Sequence, residues 1–283
     1  MIKKKILIYI YKIISKFYVL LFGRKNMQFF NDFLFSLSLD AKGYKNYGSF
    51  KKTGEKSFIE LIKKEISLSL DIGANIGEYT KLLLMNTNSK VVSFEPLPEA
   101  FKELQKIELK FKDRLDIYNI AIGNENSKSD LFYANQMSEK ASLVPNLEKL
   151  SFVGSLNKNK IVVDVKQLDY FEDYFKDKKI DFIKIDTEGF EYEVLKGAER
   201  ILKLHKPKFI QLEFNWHQLI RNHSMYDLFK LVNSYDVFRI LPHGKKLIHV
   251  DPSRPENNIY HLSNYVFIRD DIANNYKWEK LKI

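Results

Sequence analysis

The sequence predicts an α/β protein built on a doubly wound, mostly parallel sheet, and three observations carry that reading. From Lys56 onward, short apolar runs of strand character alternate with segments whose apolar residues follow helical spacing, the signature of βαβ units. The first of these runs leads into a loop with glycines at 73 and 77 that opens a helix. The second ends on an acid, Glu95, 22 residues beyond Gly73.

The chain begins MIKKKILIYIYKIISKFYVLLFG, with basic residues ahead of an apolar stretch. Lys12 and Lys16 interrupt that stretch, leaving runs at 6–11 and 17–22 that fall far short of the ~20 apolar residues needed to cross a bilayer. Helical spacing puts Lys5, Tyr9, Lys12 and Lys16 on one side and Ile6, Ile10, Ile13, Phe17 and Leu20 opposite, which describes an amphipathic helix. No small-residue cleavage site follows. Such a helix can pack on the body of the protein, pair with a second copy, or lie on a membrane surface. The expectations are a peripheral membrane contact through residues 1–25 or a homo-oligomer, with the protein itself in the cytoplasm. A second helix is expected over 27–39, before the turn-rich stretch 43–48. An N-terminal helical extension, 1–50, would therefore precede a main domain, 51–283. In that domain the strand-like runs are 67–71, 91–95, 115–121, 161–165, 180–186 and 209–213, then a late pair at 237–241 and 265–268.

Composition narrows the function. With 45% hydrophobic and 29% charged residues over 283 positions, the chain is an ordinary globular protein with a sizeable core. It has no cysteine, which excludes a disulfide framework, a thiolate zinc site and a cysteine nucleophile. A net charge of +10 raises the question of nucleic acid. Most of that charge is scattered lysine rather than the arginine that reads phosphate and guanine in bidentate fashion, so no nucleic-acid partner is expected.

The loop 70–80, LDIGANIGEYT, has the chemistry of a cofactor site. Gly73 and Gly77 allow close backbone approach, and Asn75 tolerates positive φ. The helix start offers free N–H groups to an anionic group, and Asp71 is placed to meet a cationic one. Glu95 supplies two carboxylate oxygens, an acceptor for each ribose hydroxyl. A dinucleotide fingerprint requires glycine where this chain has Asn75 and Glu78, and Glu78 would repel a diphosphate. A zwitterionic amino-acid tail is tolerated better. A dinucleotide-dependent oxidoreductase is thus the second choice, and a non-catalytic glycan- or membrane-binding module of the same fold the third.

Taken together, the blocks GEKSF (54–58), DIGANIGEYT (71–80), FEP (94–96), AIG (121–123), IDFIKIDTEGFE (180–191) and VLKGA (194–198) resemble the FkbM family of methyltransferases in order and spacing. The resemblance covers about residues 43–269. It implies a class I methyltransferase fold with a seven-stranded sheet containing one antiparallel strand, S-adenosyl-L-methionine as methyl donor, and a hydroxyl acceptor, which could be a small molecule, a glycan or a lipid-linked sugar. Under it Asp71, Gly73, Asn75, Gly77, Tyr79, Thr80 and Glu95 are the cofactor-binding residues.

In a doubly wound sheet the ligand sits where strand order reverses, here expected between the first and fourth core strands. That places the loop opposite the end of the 180–186 run, along which Lys184 and Asp186 point to one side. Asp186 and Glu188 are the favoured bases, with Lys184 holding them ionised; Glu213 and His217 are further candidates. Glu191 and Glu193 read as surface acids in a first helical turn. No metal is expected, although Asp186, Glu213 and Asn215 form an oxygen set suited to Mg²⁺.

Overall fold

The computed structural model describes residues 2–135, 141–145, 159–243 and 247–274. They fall into two compact units, Met1–Tyr44 and Lys45–Ile283. The division comes earlier than the expected 50/51 boundary. The reason is local bonding within the second unit: the Asn46 N–H donates to the Leu262 carbonyl, and the Asn46 side chain donates to the Thr53 carbonyl.

In the N-terminal unit, helix Ile2–Phe22 meets helix Gln28–Ala41 through a short 3₁₀ turn, Lys25–Met27, at a bend of 103°. Asn31 fixes the corner. Its amide donates to the Phe22 carbonyl at 3.0 Å and its oxygen accepts from the Tyr18 hydroxyl at 2.6 Å. The first helix is apolar over more of its circumference than an amphipathic pattern requires, and from Ile6 to Leu21 its apolar side chains are exposed.

In the second unit the strands are β1 (Leu68–Ile72), β2 (Lys90–Phe94), β3 (Leu115–Tyr118), β4 (Ala121–Ile122), β5 (Ser127–Tyr133), β6 (Asn159–Lys166), β7 (Phe182–Ile185), β8 (Phe209–Phe214), β9 (Tyr235–Ile240), β10 (Leu247–Val250) and β11 (Ser263–Arg269). Eight of them form one sheet in the order β10-β9-β11-β8-β7-β1-β2-β3. β3, β2, β1, β7 and β8 run parallel, and β11 runs antiparallel between β8 and β9. The expected seven strands with one reversed are thus present, and the sheet is extended to eight by β10, a short edge strand antiparallel to β9. Strand order reverses between β1 and β7, where the fourth core strand was expected.

The second correction concerns the region between β3 and β7. The 115–121 run is interrupted at Asn119 and Ile120 and splits into β3 and β4. The 161–165 run does not join the main sheet; as part of β6 it pairs with β4 and β5 in a separate three-stranded sheet.

Alternation along the strands sorts the core. Ile183, Ile185, Ile210 and Leu212 face one layer with Val194, Leu195 and Leu228. Phe182, Phe209 and Val266 face the other with Phe58, Ile59, Ile62 and Leu83. Toward the carboxyl ends of β7 and β8 the second face turns polar, with Lys184 beside Gln211 in register.

Candidate active site

The loop after β1 is held across the end of β2, where the Gly73 and Ala74 N–H groups both donate to the Phe94 carbonyl at 3.0 Å. Gly73 has φ +83° and lies so close to β7 that a Cβ would fall 1.9 Å from the Asp186 carbonyl oxygen. Its freedom serves the approach of one strand end to another. Asn75 sits at φ +48°, the left-handed conformation that asparagine tolerates. No side chain caps the helix Glu78–Asn86 that follows, so its first N–H groups have no side-chain acceptor.

Glu95 closes the loop from β2. One of its carboxylate oxygens accepts the Asn75 N–H at 2.8 Å and the other the Leu97 N–H at 2.7 Å. Each oxygen retains a lone pair for a ligand hydroxyl. The side chain is buried, and burial pushes the carboxyl up to about 7 even though the two backbone N–H bonds favour its charged form.

Gly73, Asn75 and Glu95 line a cleft that is open to solvent. Its other walls come from Ile120, Ala121 and Ile122 at β4, Leu131 of β5, Ala141, Leu143, and Asp186, Thr187, Glu188 and Phe190 beyond β7. The remaining four residues expected to bind cofactor do not line it. Gly77 faces the helix Pro98–Glu108, where a Cβ would meet Ile107 Cδ1 at 2.3 Å and Leu104 Cδ2 at 2.7 Å. Asp71 is buried and accepts from the Thr80 hydroxyl at 2.6 Å, with Ser93 next in the chain of hydroxyls; burial pushes Asp71 up to about 6. Tyr79 donates to Gln211 at 2.7 Å.

Beyond β7 the chain turns sharply. Glu188 has φ +52°, a strained conformation for a long side chain, and its carbonyl accepts from the Ser142 hydroxyl at 2.6 Å. The turn is tied down from within by Glu191, which accepts from the Thr187 N–H at 2.9 Å, the Gly189 N–H at 3.1 Å and the Gln218 amide. Glu191 is therefore no surface acid. It is buried, and burial raises it to about 7. Glu193 is buried too, paired with Arg221. Both corrections have one cause: the turn at 188–189 directs the start of helix Glu191–Lys196 inward.

The turn brings three carboxylates together. Oxygens of Asp186, Glu188 and Glu213 lie within 4.8 Å of one another. Lys184 reaches Asp186 at 2.9 Å from a fully buried position. Burial opposes its charge, yet Asp186, Glu55 and Glu213 hold it above the ordinary lysine range. Glu55, in turn, accepts from Thr53 at 2.6 Å and Gln211 at 2.8 Å, and burial raises it. Burial and the negative Asp186 push Glu213 well above the usual carboxyl range, while Lys184 and the 2.6 Å bond from Asn215 pull the other way. The buried His217 ring sets Nδ1 2.8 Å from Asn215 Oδ1 and 3.3 Å from Glu188. Asn215 thus links β8 to the turn, a role that the sequence could signal only through its position as helix N-cap.

Comparison with known proteins gives the family. The family model for the methyltransferase FkbM domain matches residues 71–236, from Asp71 at the cofactor loop to the start of β9. "Methyltransferase 1" of Beauveria bassiana is 25% identical over 182 residues, covering 54% of this chain and 73% of that protein. "2-O-methyltransferase NoeI" of Sinorhizobium fredii is 22% identical over 203 residues, covering 67% and 80%. "Hexuronic acid methyltransferase AglP" of Haloferax volcanii is 28% identical over 156 residues, covering 53% and 59%. With the matched region taking in the loop, the carboxylate turn and every strand between them, the chain belongs to the FkbM family of methyltransferases.

Proposed function

We propose that the protein transfers a methyl group from S-adenosylmethionine to a hydroxyl oxygen of a sugar, in a glycan or on a lipid carrier. The observation that carries the proposal is the cluster of Asp186, Glu188 and Glu213, of which Asp186 and Glu188 line the same cleft as Glu95. The residues fit the donor: a carboxylate with two spare lone pairs for the ribose, and a loop whose Gly73 and left-handed Asn75 line the same cleft. When bound, the sulfonium supplies an electrophilic methyl. Glu95 and the loop hold it in place, while Asp71 and Thr80 stiffen the loop from behind. An acceptor hydroxyl beside Glu188 or Asp186 gives up its proton to that carboxylate as its oxygen forms the new bond to carbon and the sulfur–carbon bond breaks. Lys184 pairs with Asp186 at 2.9 Å and fixes where that carboxylate stands. The names of NoeI and AglP, one a 2-O-methyltransferase and the other acting on hexuronic acid, support a sugar as acceptor. The dinucleotide oxidoreductase, weighed from the loop alone, gives way to the family assignment.

The test is transfer of labelled methyl from S-adenosylmethionine to a panel of oligosaccharides containing neutral hexoses or hexuronic acids. The product should be an ether that resists mild alkali. Label released by alkali would mean a methyl ester, an acceptor carboxylate and no need of a base. Glu188→Gln or Asp186→Asn should lower transfer by roughly 10² to 10⁴. Unchanged rates in both would move the base to Glu213 or His217. A second reading makes the three carboxylates ligands of a hard cation that orients the acceptor and lowers its pKa.

A further inference from the structure

We propose that the N-terminal unit is a monotopic anchor whose two helices embed in one leaflet of an anionic lipid membrane. A helix that is apolar around most of its circumference belongs inside an apolar medium. Here one stands in solvent. From Ile6 to Phe22, at 100° per residue, Lys12 and Lys16 lie roughly 40° apart around the first helix, and apolar side chains fill most of the rest. Leu20 is 68% exposed, Phe29 87% and Phe33 52%, so the exposed apolar surface continues from the first helix onto the second. A continuous patch of this kind marks an interaction surface.

Charge selects the occupant. The first 31 residues contain Lys3, Lys4, Lys5, Lys12, Lys16, Arg24 and Lys25 and no acid before Asp32. A second copy of the chain would bring the same unbalanced positive charge to the interface, whereas anionic headgroups neutralise it. The narrow lysine stripe matches side chains that reach up to headgroups while their stems lie among acyl chains. Neither helix is long and apolar enough to cross a bilayer, and Lys12 and Lys16 would sit near its centre if the first one did. The 103° corner, pinned by Asn31, lets both helices lie near one interface.

Flotation of the full chain with vesicles of phosphatidylcholine and phosphatidylglycerol in equal parts tests this. The chain should float with them. Replacing Phe17, Leu20 and Phe33 together by Asp should leave it in the dense fraction, with its unfolding transition unchanged. If that variant fails to fold, Lys12→Glu with Lys16→Glu decides. It should weaken partitioning by at least about 10-fold on the mixed vesicles, given roughly five-fold for each basic residue near an anionic leaflet, and change little on phosphatidylcholine alone. A wild-type chain that stays unbound to the mixed vesicles would overturn the proposal, as would a stable dimer in light scattering that hides Phe17 and Leu20 and does not float.

Discussion

Removing the carboxylate of Glu95 should both weaken cofactor binding and abolish its dependence on pH. The structure gives the magnitude. In the wild type the carboxyl sits near 7 because burial disfavours its charge. If the ribose hydroxyls need the ionised form, apparent affinity for S-adenosylhomocysteine should be about 10-fold weaker at pH 6 than at pH 8. In Glu95→Gln the hydroxyls lose a charge-assisted acceptor, a loss of roughly 1.5 to 3 kcal/mol, or about 10- to 150-fold in Kd at pH 8. The slope between pH 6 and 8 should vanish with it. The same group has an opposite signature in stability. Its folded value lies above the ordinary 4.5, so the folded state holds a proton that the unfolded chain has lost, and its contribution to stability falls as pH rises from about 4.5 to about 7. Calorimetric titration at pH 6, 7 and 8 measures the binding arm. Wild-type affinity that is flat with pH, or a Gln variant that binds as tightly as wild type, would refute the placement of Glu95 against the ribose.

Other perturbations read other parts of the site. Lys184→Met should cost roughly 3 kcal/mol by leaving buried Glu55 without its counter-charge, and lower Tm by roughly 6 to 12 °C. That deficit should shrink at lower pH, because Glu55, already raised by burial, then takes up a proton. Gly77→Ala, clashing with Ile107 and Leu104 at φ +81°, should lose about 1 to 3 kcal/mol of stability in a melting experiment while leaving S-adenosylhomocysteine affinity near wild type. Gly73→Ala should abolish that affinity, because the atom it meets is backbone and cannot yield. Methyl transfer should survive EDTA; activity lost to the chelator and restored by Mg²⁺ would assign Asp186, Glu188 and Glu213 to a cation.

What could be read from sequence follows from which strands are buried on both faces. β1, β2, β7 and β8 are buried almost throughout and mostly apolar, legible because helices cover both sides of a parallel sheet. β5 has a single buried residue and β6 only two, so the sequence shows β6 as a strand without its partners and does not show β5. Loop residues such as Asn75 carry their conformation in their own chemistry and were legible for that reason. Gly77 was legible as a constraint but not as to its partner, since Leu104 and Ile107 lie on a different helix. Glu191 shows the harder limit. An acid in a first helical turn reads as solvated unless one knows that Glu188 adopts a left-handed backbone and turns the helix start toward the core.

The small sheet of β4, β5 and β6 is stitched into the chain between β3 and β7, and through Ala121, Ile122 and Leu131 it furnishes one side of the cleft. Glu95 and Asn75 stand on separate elements. Substitution at Leu131 can therefore alter that side of the cleft while the bond from the Asn75 N–H to Glu95, made by other elements, stays in place.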